Sequence, residues 1–212
     1  MSFPSPDLAA QQERAAQIRR ACRRLSSLVD NCLINERFES AGFRLVPAPV
    51  PISELVQDAA QLVQWSRRHT LRLLLDPAVA TWVCDATLVR IALSNLVDNA
   101  IKYAHAGEIL VSATKTERGL MRLAVSDEGP GLSLEAAHRV FEQFERGQRT
   151  DQTRGFGLGL WVTRRIAREH GGDVSVEALA GQGTCFSITL APQRVYKPDG
   201  QAAPPAATST ES

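Results

Sequence analysis

No stretch of this sequence approaches the roughly 18–20 consecutive apolar residues that a membrane-spanning helix needs. The richest segment, Leu71–Val83, is broken by Arg72, Asp76 and Pro77. The first ten residues have neither a basic start nor an apolar core, so no secretory signal is expected. Excess charge is also missing: 24 Lys+Arg against 23 Asp+Glu leave a net charge of +1. That is too little for a global pull on nucleic acid or an acidic membrane, and any anion must be held by a local site. Cysteine is scarce, and Cys22, Cys32, Cys84 and Cys185 form no CxxC and have no nearby histidine pair. This argues against a disulfide framework or a zinc site, and for small buried hydrophobes in a reducing compartment. The expectation is a cytoplasmic chain with no membrane span and no nucleic-acid partner.

What is present reads as globular. An apolar share of 44% with 22% charge can support a core, and 212 residues suit one domain with attachments. Residues from about Leu8 to Ala41 contain neither Pro nor Gly and read as one long helix, stopped by Gly42. Its Ile18, Cys22, Leu25, Val29 and Cys32 step by four and three, the spacing of a helix packed in a coiled coil or bundle. Phe43–Val50, with its spaced prolines, reads as an edge strand or linker. A second helix is expected from Ile52, capped by Ser53, to about Arg68, and short strands over Leu71–Leu75 and Thr81–Cys84. Asp85 should cap a long helix from Ala86 to Ala104, before a hairpin of Glu108–Thr116 and Leu120–Ser126 turned near Gly119. Then come a short helix from about Leu134 to Phe144, a polar Arg-containing loop, a helix over Leu158–His170, and a hairpin of Val174–Ala178 with Thr184–Leu190. The tail from Lys197, poor in apolar residues, is expected to be a linker or disordered end. Strands joined by hairpins and mixed with helices predict an α+β sandwich, a mixed sheet covered by helices on one face.

Four constellations can carry chemistry. On the helix after Asp85, Asn95, Asn99, Lys102 and Tyr103 share one face, while Leu93, Leu96, Val97, Ala100 and Ala104 lie opposite. Asparagine is a poor helix-interior residue. Two of them one turn apart, followed by a lysine, suit a divalent cation with phosphates, although a solvated face fits the pattern equally well. Ser126-Asp127-Glu128-Gly129-Pro130-Gly131 follows a strand, where a carboxylate can accept from an exocyclic amine; alone it reads as an ordinary turn. Gly155-Phe156-Gly157-Leu158-Gly159-Leu160 opens a helix, the arrangement that cradles phosphates. Gly181-Gln182-Gly183-Thr184 alone reads as a structural hairpin turn.

In this order, the four resemble the Bergerat-type ATP-binding fold, and more narrowly the catalytic domain of sensor histidine kinases. Asn95–Tyr103 is similar to that family's N box and Asp127–Gly131 to its G1 box. Phe141-Glu142-Gln143-Phe144 is similar to its F box, Gly155–Leu160 to its G2 box, and Gly181–Thr184 to its terminal GxGT. The helix before Gly42 resembles the second helix of the dimerisation and phosphoacceptor hairpin. The resemblance divides the chain into that helix (1–42), a linker or edge strand (43–51), an ATP-binding domain (52–192) and a tail (193–212).

The resemblance implies ATP and Mg²⁺ as ligands. Asn99 would hold the metal and Asn95 would lie beside the triphosphate. Lys102 would meet the phosphates, with Arg146 reaching them from the loop. Asp127 would accept from the adenine amine, Gly129 and Gly131 would line the base pocket, and Tyr103 would pack beside it. Gly155, Gly157 and Gly159 would let the loop hinge. Leu132, Phe144, Leu158, Leu160 and Thr184 complete the implied nucleotide set. Asn95, Lys102 and Arg146 would be the catalytic group.

Two departures qualify this. The family's phosphoacceptor histidine is followed by an acidic residue, but His69, His105, His138 and His170 precede Thr70, Ala106, Arg139 and Gly171. The expectation is therefore a kinase region truncated before its phosphoacceptor, acting on a separate histidine domain and relaying to a response-regulator receiver domain. It would be a homodimer through the first helix, and the cytoplasmic part of a sensor. ATP hydrolases of the fold carry Glu four residues before the metal Asn; here Asn95 stands there, which disfavours hydrolysis. The alternative reading is a nucleotide-binding scaffold or inhibitory module without transfer activity.

Overall fold

The computed structural model of the chain describes residues 8–104, 106–142, 158–178 and 183–195. It opens with α1, Leu8–Glu39, a 32-residue helix. Ile18, Leu25, Val29 and Leu33 are exposed along it, and among its described side chains Ile34 and Phe38, near its end, are the buried ones. There Phe38 meets Phe43 edge-on at 4.9 Å and lies beneath the Arg165 guanidinium at 5.5 Å. Gly42 is not the helix stop. The helix ends at Glu39, and the turn is made by Ser40 N–H on Glu36 and Phe43 N–H on Ser40.

Only Ala48–Pro51 of the expected edge strand is a strand, β1. Its partner is β3, Thr81–Cys84, in an antiparallel two-stranded ladder. Helix α2, Ile52–Gln61, follows immediately, with Pro51 at the N-cap position instead of Ser53. No side chain caps it; Ile52 N–H donates instead to Ala80 O across the ladder, which satisfies one of the orphan donors of the first turn. The helix also ends seven residues before Arg68. Trp65 folds back to donate from its indole to Ala60 O at 2.8 Å, and Ser66 contacts the His69 ring, turning the chain into the next strand.

That strand is β2, His69–Leu75; a 3₁₀ turn at Pro77–Val79, capped by Asp76, leads on to β3. Helix α3, Ala86–Tyr103, starts where Asp85 Oδ1 accepts from Leu88 N–H, as its sequence predicts. β4, Gly107–Lys115, and β5, Met121–Asp127, form the expected hairpin. α4 covers only Leu134–Arg139, shorter than expected, and Phe144 lies outside the described residues. α5, Gly159–Glu169, ends with Gly171 N–H on Arg168 O and Gly172 N–H on Ala167 O. β6, Val174–Ala178, and β7, Thr184–Leu190, form the last antiparallel pair.

The larger sheet runs β2-β4-β5-β7-β6, with β2 parallel to β4 and every other pair antiparallel. Alternation puts Ile109, Val111, Leu123, Val125, Phe186 and Ile188 on the buried face. They pack with Leu88, Leu93, Leu96 and Val97 of α3 and Val162 and Ile166 of α5 in one core. The opposite face carries polar groups such as Ser112, Ser126 and Ser175, with Arg72–Glu108 and Arg122–Glu177 ion pairs. The result is the expected two-layer α+β sandwich preceded by one long helix.

Candidate functional site

The apolar side of α3 is buried, which turns the Asn95, Asn99, Lys102 and Tyr103 side outward. Asn95 and Asn99 are half-buried, and Lys102 and Tyr103 are exposed. Three structural elements gather round this face. At its middle, Asn95 Nδ2 donates to Gly159 O, the first residue of α5, at 3.1 Å. At its end lies the turn after β5: a Cβ placed on Gly129 would stand 3.2 Å from Tyr103 O and 3.3 Å from Ala104 Cα. Beside that turn comes the start of β7, since Asp127 and Thr184 are register partners.

Asp127 is 8% exposed and has no cationic partner among the described residues, a rare setting for a carboxylate. Its Oδ1 accepts from Gly129 N–H at 2.8 Å. Burial pushes its pKa above the ordinary carboxylate range, while the amides of Gly129 and Thr184 pull it part of the way back. The same Oδ1 would stand 2.6 Å from a Cβ at Gly129, so glycine permits the turn to close on the acid. Gly131 has φ +71, and Leu132, like Leu160, is half-buried against the core. Leu158 is buried and precedes α5 without giving it a side-chain cap. Phe144, Arg146, Gly155 and Gly157 lie outside the described residues. The structure thus gathers Asn95, Asn99, Lys102, Tyr103, Asp127, Gly129, Thr184 and Gly159 along the second half of one helix face.

Sequence reasoning missed three features. Lys102 is ion-paired with Asp98, its i−4 neighbour, a spacing that announces the pair. Phe141 packs edge-on against Phe186 at 6.0 Å, which the alternation of β7 could have suggested. Thr163, fully buried on α5, donates to Gly159 O at 2.8 Å; nothing in its sequence context marks it.

Behind the site, His170 joins α5 to the start of α3. Its Nε2 accepts from Asp85 N–H at 3.1 Å, and its Nδ1 donates to Ile166 O at 2.8 Å, which fixes a neutral tautomer. Burial lowers its pKa. Asp85 Oδ2 accepts in turn from Val46 N–H, tying in the segment that follows α1. Cys84 is buried beside this node and its thiol is pushed up to about 12, chiefly by burial and then by Asp85, so it is inert.

No helix among the described residues is long and apolar enough to cross a membrane. Residues 84–194 match the model of a family described as histidine kinase-, DNA gyrase B- and HSP90-like ATPases. The chain is 32% identical over 180 residues to the sensor protein KdpD of Escherichia coli strain K12, covering 85% of this chain and 20% of that protein. It is 31% identical over 178 residues to the adaptive-response sensory kinase SasA of a Synechocystis strain, covering 82% and 46% respectively. The chain therefore spans less than half the length of these relatives. Among solved structures, full-length ShkA in complex with AMPPNP superposes with a TM-score of 0.70 at 30% identity, over 94% of this chain and 41% of ShkA.

Proposed function

The chain belongs to the family of histidine kinase-, DNA gyrase B- and HSP90-like ATPases, and from that membership we propose that it is the ATP-binding catalytic region of a sensor histidine kinase. It transfers the γ-phosphoryl group of ATP to a histidine on a separate phosphoacceptor domain, for relay to a response-regulator aspartate. The observation that carries this reading is Asp127: a buried carboxylate with no cationic partner among the described residues, at a strand end beside the asparagine face of α3. Keeping such a group ionised costs stability, and an adenine amine donating to it offsets that cost.

The remaining roles follow from chemistry. Asn99 presents a neutral hard oxygen of the kind that magnesium accepts. Among the described residues no three carboxylate, thiol or imidazole groups converge to hold an ion alone. The ion would therefore take its other ligands from phosphates and water, as Mg²⁺ commonly does. When bound, it neutralises charge on the phosphate oxygens. Lys102, and Arg146 outside the described residues, supply positive charge to the phosphates; Lys102 exchanges its Asp98 partner for them. Asn95 stands where a hydrolase needs a base, and an amide cannot take a proton from water. Transfer to an imidazole nitrogen, itself a nucleophile, needs no such base. Gly129, Gly131, Leu132 and Tyr103 form the base side of the site with Thr184, the register partner of Asp127, and Leu158, Gly159 and Leu160 its phosphate side; Phe144, Gly155 and Gly157, outside the described residues, complete the proposed nucleotide set. A second copy of the chain associates through α1.

The test supplies labelled ATP, Mg²⁺ and a purified phosphoacceptor domain. Acid-labile label on that domain, with none on the chain alone, is the expected result. ATP binding without transfer to any supplied acceptor would leave a nucleotide-binding scaffold instead.

A further inference from the structure

The carbonyl of Gly159 receives side-chain donors from two helices. Asn95 Nδ2 reaches it from α3 at 3.1 Å, and Thr163 Oγ1 reaches it from the next turn of α5 at 2.8 Å. The Thr163 hydroxyl also stands 3.5 Å from Ala92 O, so it lies between α5 and the α3 turn just before Asn95. A threonine bonding back to residue i−4 is common in helices and often bends them. Here the same carbonyl is also gripped from the neighbouring helix. Leu158 at the cap position supplies no side-chain bond to the start of α5.

We propose that Asn95 and Thr163 are positioning residues that fix the first turn of α5 to α3, and thereby hold its N-terminal amides in place for nucleotide phosphates. The inference rests on the nucleotide reading above and changes the role of Asn95 within it. The amide nitrogen of Asn95 is engaged by Gly159 O, from a different helix than the Thr163 hydroxyl. What Asn95 contributes to phosphate binding then passes through α5. Thr163 makes the idea separable from direct ligation, because it is 0% exposed and cannot touch a ligand.

The experiment measures the affinities of ATP, ADP and adenosine for the wild-type chain, Asn95→Ala, Thr163→Val, Thr163→Ser and the Asn95→Ala/Thr163→Val double variant. Amide hydrogen exchange at the start of α5 is followed without nucleotide. Asn95→Ala and Thr163→Val should each weaken ATP and ADP by a similar factor, about three- to tenfold for one lost hydrogen bond. Adenosine binding should not change, and first-turn amides should exchange faster. Thr163→Ser keeps the hydroxyl and should behave as wild type, which guards against a mere packing defect at 163. The double variant should lose less than the product of the single losses, because both act on one carbonyl. The proposal is overturned if Asn95→Ala weakens ATP but not ADP, the signature of a γ-phosphate ligand. Unchanged nucleotide affinity in Thr163→Val overturns it too, as does adenosine weakening in parallel. A wild-type chain that binds no ATP would instead defeat the nucleotide reading itself.

Discussion

A Cβ on Gly183 would stand 2.0 Å from the carbonyl oxygen of Asp127. Gly183 also has φ +88, a region closed to most side chains. The obstacle is backbone, at the point where β5 and β7 pair through Asp127 and Thr184, so it cannot swing aside as a side chain would. Gly183→Ala should therefore lower the unfolding free energy by about 2–4 kcal/mol and displace Asp127 from its partners. Gly42→Ala, with nothing within 4 Å, is the control and should stay within about 0.5 kcal/mol. Urea unfolding of both decides it; equal midpoints would show that the strand end gives way freely.

Asp127 itself should trade stability for binding. Its folded pKa is raised by burial, so its favourable contribution is complete only below the ordinary carboxylate value. That contribution is lost as pH rises through the folded pKa, and at neutral pH the ionised group costs stability. Asp127→Asn removes the charge yet still offers Oδ1 to Gly129 N–H. The variant should melt at or above the wild-type temperature at pH 7. It should bind ATP more weakly by about 1–3 kcal/mol, the worth of a hydrogen bond to a charged group. A variant that loses stability and retains affinity would reverse the assignment.

The elements that were legible in the sequence are those whose signals are local. Asp85 caps α3 with its own side chain, and the alternation in β4, β5 and β7 follows from a sheet with one buried face. Elements that depend on a distant partner were misread. Ser53 looked like the cap of α2, but Ala80 O across a ladder satisfies Ile52 N–H. Gly42 reads as a helix stop, but the helix ends at Glu39 and Gly42 lies within the turn that Phe43 N–H closes on Ser40 O. In the site, the shared face of Asn95 and Asn99 was readable from helical spacing. The target of the Asn95 amide, 64 residues away at Gly159, was not. Thr163 carries no local signal, because its role exists only after α5 has docked on α3.

Metal removal should separate Asn99 from the other site residues. ATP affinity of the wild-type chain should fall when Mg²⁺ is chelated, since on the proposed reading Asn99 and the phosphates would share the ion. Asn99→Ala should bind ATP as weakly in Mg²⁺ as the wild type does in chelator, a loss of roughly tenfold or more. Chelator should then change the variant little. Isothermal titration with and without Mg²⁺ measures this, and a variant as Mg²⁺-dependent as the wild type would move the metal elsewhere.

His170 sets a pH limit on the fold. Its folded pKa is lowered by burial, so the unfolded chain takes up a proton as pH falls through about 6.5 while the folded chain does not. The stability it supports is complete above that value and declines as pH drops below it, by up to about 1.4 kcal/mol per pH unit for one proton. The decline continues until the folded ring itself protonates. At that point Nε2 can no longer accept from Asp85 N–H, and the junction with Val46 is strained. Unfolding curves between pH 7.5 and 5 should show this slope in the wild type and a flatter one in His170→Gln. Identical slopes would place the proton uptake on another group.

The helix α1 should behave as two segments with different partners. Ile34 and Phe38 are buried, and Phe38 is clasped by Phe43 and Arg165, so this end belongs to the folded domain. Ile18, Leu25, Val29 and Leu33 are 52–63% exposed on the same helix. Covering each of these side chains would contribute about 1.5–3 kcal/mol. With four of them on one helix, the wild-type chain should associate through this stripe. Leu25→Asp with Val29→Asp places charge in that seam and should yield monomers that bind ATP normally, since the nucleotide residues lie beyond Pro51. Phe38→Ala should do the opposite: it loosens α1 from α5 and lowers the melting temperature, yet leaves association intact. Sedimentation across a concentration series, with ATP affinity measured alongside, distinguishes the two. A wild-type chain that stays monomeric at every concentration would show that the exposed stripe is not a dimer seam.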